Sequence, residues 1–132
     1  MNRQDRRSLL TTRSNPNLRT DYVVTLAGRI DLLEPPGAAD LVIRYVPDKW
    51  ILDTLAFRRY LGALAQESWT ALEEIAAVAL DDVNNEVVAR WVQVVASQTD
   101  GDEAATNRHE VLIEDRQPGW DNLALLSRLH RD

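Results

Sequence analysis

Period-two alternation is the pattern that most constrains this chain. From Asp21 onward, Tyr22, Val24, Leu26, Ile30 and Leu32 fall on alternate positions, with Val23, Thr25, Ala27, Arg29 and Asp31 between them. Successive strand side chains point to opposite faces, so this pattern specifies a long strand with one drier face. Gly28 interrupts the apolar set and marks a bulge or a close backbone approach. Glu34-Pro35-Pro36-Gly37 breaks the strand. A second strand is expected from about Asp40 to Val46, with Leu41, Ile43 and Tyr45 on one face, and the two form a hairpin.

The period then changes. Asp53 or Thr54 can cap a helix running to about Gln66, with Leu55, Leu61 and Leu64, helped by Tyr60, as its apolar stripe. Ser68 can cap a second helix carrying Trp69, Leu72, Ile75, Ala76, Ala79 and Val83. Its wetter side holds Glu73, Glu74, Asp81 and Asp82. Alternation returns from about Ala89 to Ser97, where Trp91, Gln93 and Val95 face one way and Val92, Val94 and Ala96 the other. An acidic turn at Asp100-Gly101-Asp102-Glu103 leads to a fourth strand, about Thr106 to Glu114. Trp120, Leu123, Leu125, Leu126 and Leu129 cluster on a possible short helix near the C-terminus.

The order is thus strand, strand, helix, helix, strand, strand. A four-stranded antiparallel sheet with both helices on one face satisfies it, an α+β class. Residues 1–18, rich in Arg, Ser, Asn and Pro, read as a flexible arm. Residues 19–116 form one domain, and residues 117–132 a tail. The second sheet face still carries apolar side chains such as Trp91, and the sheet edges are unpaired. Closure of copies edge to edge into a barrel solves both problems, so a homo-oligomer is expected.

Composition removes whole classes of chemistry. The 132 residues include no cysteine, which excludes disulfides, thiolate zinc sites, iron–sulfur clusters and Cys nucleophiles. The two histidines, His109 and His130, have no acid at helical spacing, so no metal site is expected. A net charge of −6 argues against nucleic acid as partner. Arg3, Arg6, Arg7, Arg13 and Arg19 crowd the first twenty positions, as a solvated arm or as one that reaches an acidic neighbouring surface. No apolar run approaches the roughly 20 residues of a membrane span. Only Leu9 and Leu10 follow the first arginines, too few for a signal peptide, so a cytoplasmic location is the default.

Leu41-Val42-Ile43-Arg44-Tyr45-Val46-Pro47-Asp48-Lys49-Trp50 resembles the second strand and following turn of the 7-cyano-7-deazaguanine reductases, with Tyr45-Val46-Pro47-Asp48 the most specific piece. Leu80-Asp81-Asp82-Val83 followed by Arg90-Trp91 resembles that family's second helix and third strand. Thr11 to Pro16 followed by Asp21-Tyr22 resembles its N-terminal segment. The resemblance implies the tunnelling fold, with subunits in rings and sites between neighbours that hold a purine or pterin. It also implies reduction of a nitrile to an amine with NADPH. A Cys attacks the nitrile to give a thioimide, and an Asp donates a proton.

Counting back from Tyr45 puts that Cys at Ile30 and that Asp at Gly37, and a small gap moves these positions into Asp31 to Glu34. No shift recovers a cysteine. The family's purine-gripping Glu matches Asp53, which either anchors a ligand or merely caps a helix. Its cofactor-binding positions match Leu55, Ala56, Ala65 and Gln66, with Arg58 and Arg59 nearby, so no cofactor is expected. Its His is replaced near Leu72, and Glu73 keeps the neighbouring acid.

Three functions follow as expectations. In the first, Asp53 holds a small planar ligand at a subunit interface, and Glu34, Glu73 or His109 performs cofactor-free acid–base chemistry. Each of these residues also has a bland reading: Glu34 as an exposed loop acid, Glu73 as a solvated helix acid, His109 as a satisfied strand histidine. The second is a non-catalytic assembly or ligand-binding protein whose pocket is filled by Ile30 and Leu32. The third is a nitrile reductase with a different nucleophile, for which Ser, Thr and Asp are poor thiolate substitutes.

Overall fold

The structure, a computed structural model, describes residues 2–33, 36–100 and 107–129. Its elements in chain order are α1 (Arg3–Ser8), β1 (Thr12–Ser14), β2 (Val24–Leu33), β3 (Pro36–Val46), β4 (Trp50–Leu52), α2 (Thr54–Ala65), α3 (Leu72–Val87), β5 (Trp91–Asp100), β6 (Asn107–Arg116) and α4 (Leu123–Leu126). The main sheet has the order β2-β3-β5-β6 and is antiparallel throughout. The expected α+β architecture with an antiparallel four-stranded sheet therefore stands, and the short β1 and β4 are additions to the expected element order. Among the described residues no helix is long and apolar enough to cross a membrane.

Register explains the core. Leu26, Ile43, Val94 and Ile113 share one level, and Tyr45 shares the next with Val92. Ile30, Leu41, Ile43, Tyr45, Val92, Val94 and Ala96 are all buried on this face. Each large apolar side chain so removed from water contributes roughly 1.5–3 kcal/mol. Helix α2 packs on β2, and α3 on β5 and β6, so both cover the same face. Gly28 is the close approach that its position suggested: a Cβ there would collide with Leu61 of α2.

The N-terminal eighteen residues do not form a separate arm. α1 is capped by Asn2, whose side chain accepts from Asp5 N–H at 2.8 Å, and it packs against α2 and α3. β1 pairs with β4 in a second small sheet. The reason is a buried acid. Asp82, expected on the wet side of α3, is 0% exposed. Its carboxylate accepts from Arg6 Nε at 2.9 Å, Arg7 Nε at 2.8 Å and Tyr60 Oη at 2.7 Å. Arg6 also reaches Glu67 at 2.9 Å. A buried carboxylate needs such partners, since an isolated one costs several kcal/mol. Two of the arginines that suggested a solvated arm supply them.

α3 begins later than expected. Its N-cap is Ala71, without a side-chain cap, and Ser68 lies upstream. Trp69 donates its Nε1–H to Leu64 O at 2.8 Å, which uses the intervening residues as a corner. The helix then runs through Asn84 and Asn85 to Val87. The C-terminal segment is fastened by Asp21, which accepts from Arg90, Trp120 and Asn122 at 2.8, 3.3 and 3.0 Å. Partial burial pushes the Asp21 pKa up. The bonds from Asn122, Arg90 and Trp120, with the charge of Arg90, outweigh it and hold the carboxyl below the usual range.

Candidate functional site

Two of the candidate residues meet. Glu73 sits in the first turn of α3, and His109 lies on β6, on the helix-facing side with Val111 and Ile113. His109 Nε2 stands 3.2 Å from Glu73 Oε2. Packing of α3 on β6 brings together side chains 36 positions apart. The side chains are 50% and 62% exposed, so the pair is open to solvent. The Glu73 carboxyl is held below its ordinary range, chiefly by its own backbone N–H. Slight desolvation opposes this, and the charge and hydrogen bond of His109 assist it. Nε2 makes this contact and Nδ1 does not.

Asp53 is elsewhere. The pairing of β1 with β4, the bond from Asp53 N–H to Thr11 O at 3.0 Å, and the bond from Leu52 N–H to Tyr45 Oη at 2.9 Å fix it at the start of α2. There it is the N-cap, accepting from Leu55 N–H at 3.3 Å, with Arg13 Nη2 at 3.9 Å. Tyr45 shares its sheet level with Asp115 of β6, six residues from His109. At about 3.4 Å per residue that separation is roughly 20 Å. Within one chain, therefore, Asp53 and the Glu73–His109 pair do not converge on one small ligand.

The positions around the first hairpin offer little chemistry. Ile30 and Leu32 are buried in the core, 1% and 6% exposed. Gly37 has no side chain, and Asp31 is exposed and paired with Arg29 at 2.8 Å. Glu34 lies outside the described residues. Among the described residues no group of three or more His, Asp or Glu is placed to hold a metal.

The face of the sheet away from α2 and α3 is open. A cavity of ≈ 1120 Å³ lies over it, lined by Arg44, Trp91, Gln93 and Glu114 among others, and by Leu126 and Leu129 of the C-terminal segment. Ala27, Val42, Val95 and Leu112 form one apolar row across all four strands. Polar rows flank it: Thr25, Arg44, Gln93 and Glu114 on one side, and Arg29, Asp40, Ser97 and Glu110 on the other. Trp91, expected to be an uncovered apolar side chain here, is instead 2% exposed and donates to Glu114 at 2.6 Å.

The family model described as QueF-like protein matches residues 36–107, which run from β3 to the start of β6. A curated relative from Syntrophus aciditrophicus (strain SB), named NADPH-dependent 7-cyano-7-deazaguanine reductase, is 31% identical over 117 residues. The match covers 84% of this chain and 80% of the relative. The chain belongs to the QueF-like family.

The relative's name carries NADPH, and this QueF-like chain can be tested for a fit. At the positions the resemblance assigns to the cofactor, Leu55 is an exposed apolar side chain, while Ala56 and Ala65 are buried at 2% and 8%. None of these three has a side-chain donor for a phosphate, and only the fourth, the exposed amide of Gln66, keeps one. Arg58 and Arg59 are exposed on the outer face of α2. Three of the four matched positions therefore do not fit the cofactor.

Sequence reasoning treated Glu73 and His109 as separate candidates and found no partner for His109. No local signal could have joined them, because neither lies on the other's element. It also missed Asp82 as a buried hub. The available signal was Tyr60 and Asp82 at core-compatible helical spacing beside an excess of N-terminal arginine.

Proposed function

We propose that this QueF-like chain binds a small planar purine- or pterin-like ligand at a subunit interface. Glu73 and His109 supply cofactor-free acid–base chemistry there, and thioimide nitrile reduction does not occur. The observation that carries the reading is the solvent-open contact between Glu73 and His109 at 3.2 Å. It supports an acid–base role because a carboxylate that holds one imidazole nitrogen fixes the orientation of the ring. The absence of cysteine from the sequence removes the thioimide route. Asp53 would reach a ligand only from a neighbouring copy, since it stands far from the pair within one chain.

Titration of the full chain with 7-cyano-7-deazaguanine and with guanine, read by calorimetry, tests this. Saturable binding of at least one is expected, with NADPH absorbance unchanged when the nitrile and NADPH are added together. Glu73→Gln and His109→Ala should each weaken binding by about tenfold, the loss of one charge-assisted bond. NADPH oxidation by the nitrile, equal binding by both variants, or no binding of either probe would overturn the reading.

One observation favours a second reading, a non-catalytic assembly or ligand-binding protein. Ile30 and Leu32, at and beside the position of the family's nucleophile, are buried apolar side chains. Saturable binding with no chemical change in the ligand would favour it.

A further inference from the structure

Apart from tyrosines and tryptophans, the buried polar residues among those described are Arg6, Asn15, Asp82 and Ser97. The first three have partners. Arg6 and Asp82 meet at 2.9 Å, and Asn15 donates to Asp48 O at 2.7 Å. Ser97 is different. It is 9% exposed, and its hydroxyl makes no hydrogen bond among the described residues. Its side chain lies on the open face of the sheet and lines the cavity there. Buried polar groups nearly always have a partner, so an unclaimed hydroxyl on a cavity wall points to something that enters the cavity.

Directly across from Ser97, on β3, stands Asp40, which lines the same cavity. Among the described residues its carboxylate has no cation at ion-pair distance. The cations on either side are engaged elsewhere. Arg29, opposite Asp40 on β2, holds Asp31 at 2.8 Å. Arg108 holds Glu110, opposite Ser97 on β6, at 3.3 Å. The row Arg29, Asp40, Ser97, Glu110 thus has settled ends and an open centre.

That centre has a definite chemistry. Side chains directly opposite on paired strands have Cβ atoms about 4.5–5.5 Å apart, so one nitrogen can reach the carboxylate and the hydroxyl together. An ionised carboxylate only accepts hydrogen bonds, and an ammonium group has only donors to give. An anion is repelled there, and one carboxylate with one hydroxyl supplies too few oxygens for calcium or magnesium. Two residues further along the same strands lie Val42 and Val95, in the middle of the apolar row. At roughly 3.4 Å per residue they are about 7 Å away. Leu126 and Leu129 line the cavity from the C-terminal segment.

We propose that Asp40 and Ser97 hold the ammonium group of a small amphipathic amine, whose apolar body lies between Val42 and Val95 on one side and Leu126 and Leu129 on the other. The site is on the sheet face opposite to His109, so it is separate from the Glu73–His109 pair. A cavity of ≈ 1120 Å³ has ample room for such a molecule.

Calorimetric titration of the full chain with phenylbutylamine, a primary amine on a short apolar body, tests the site. Saturable binding is expected. Phenylbutyric acid, with a carboxylate on a similar body, should bind at least about tenfold more weakly. Asp40→Asn should weaken amine binding by about tenfold, the loss of a charge-assisted bond, and Ser97→Ala by about threefold or more. Neither side chain is bonded to another part of the chain, so both variants should keep the wild-type melting temperature. In the complex, magnetisation transfer from the phenyl protons should reach methyl groups of Val42, Val95 and Leu126. The proposal fails if millimolar amine does not saturate, if the acid binds as well as the amine, if either variant binds the amine like wild type, or if the phenyl protons contact methyl groups elsewhere instead.

Discussion

Val88 closes α3 in the left-handed region, with φ 47° and ψ 57°. A β-branched residue pays about 1–2 kcal/mol there, where glycine pays nothing. Its N–H bonds Asn84 O at 2.9 Å, and the Asn84 side chain takes the next N–H, from Ala89, at 3.0 Å. The conformation is thus held by the cap and not by the Val88 side chain, which is 53% exposed. Val88→Gly should raise stability by about 0.5–1 kcal/mol, less than the full strain because glycine also loosens the unfolded chain. An upward shift of the urea midpoint with an unchanged slope would record it. His109 teaches the opposite lesson. Its residue type advertised acid–base chemistry, but its partner became visible only when α3 lay across β6.

Elements are tied down here by polar clasps as much as by apolar burial. α1 exposes most of its surface, and among its residues only Arg6 is buried. Its attachment runs through Asp82. Asp82→Asn keeps the shape but leaves Arg7 against a neutral amide and Arg6 with Glu67 as its one carboxylate, and should cost about 3 kcal/mol. Loss of the α1 contact should also open Arg6 and Arg7 to trypsin, which a simple loss of core packing elsewhere would not do. The C-terminal segment hangs on Asp21 in the same way, and α4 has no buried residue. The folded-state pKa of Asp21 lies below its ordinary value of 3.8. Its stabilisation is therefore complete above the unfolded pKa and is lost as pH falls through the folded one. As pH falls below 3.8 and through the lower folded-state value the segment should progressively release, seen as a change in Trp120 emission, and Asp21→Asn should remove most of that acid-dependent step.

At the scale of the whole molecule, two sheet faces have different fates. The helix-side face is closed within one chain. The other keeps an apolar row between two polar ones and long strands at both edges.

The amino-acid order by itself determined the alternating strands, the two central helices, their antiparallel sequence and the loss of thiol chemistry. Those features are written in periods of two and about 3.6, in turn residues, and in which residue types are present at all. Only the tertiary structure decided that Asp82 is buried, that Arg6 and Arg7 near the start of the chain are its counter-ions, that Asp53 stands far from Glu73 and His109, and that these two meet. Each of these depends on contacts between residues distant in sequence, and packing chooses such contacts by bringing separate elements to one place.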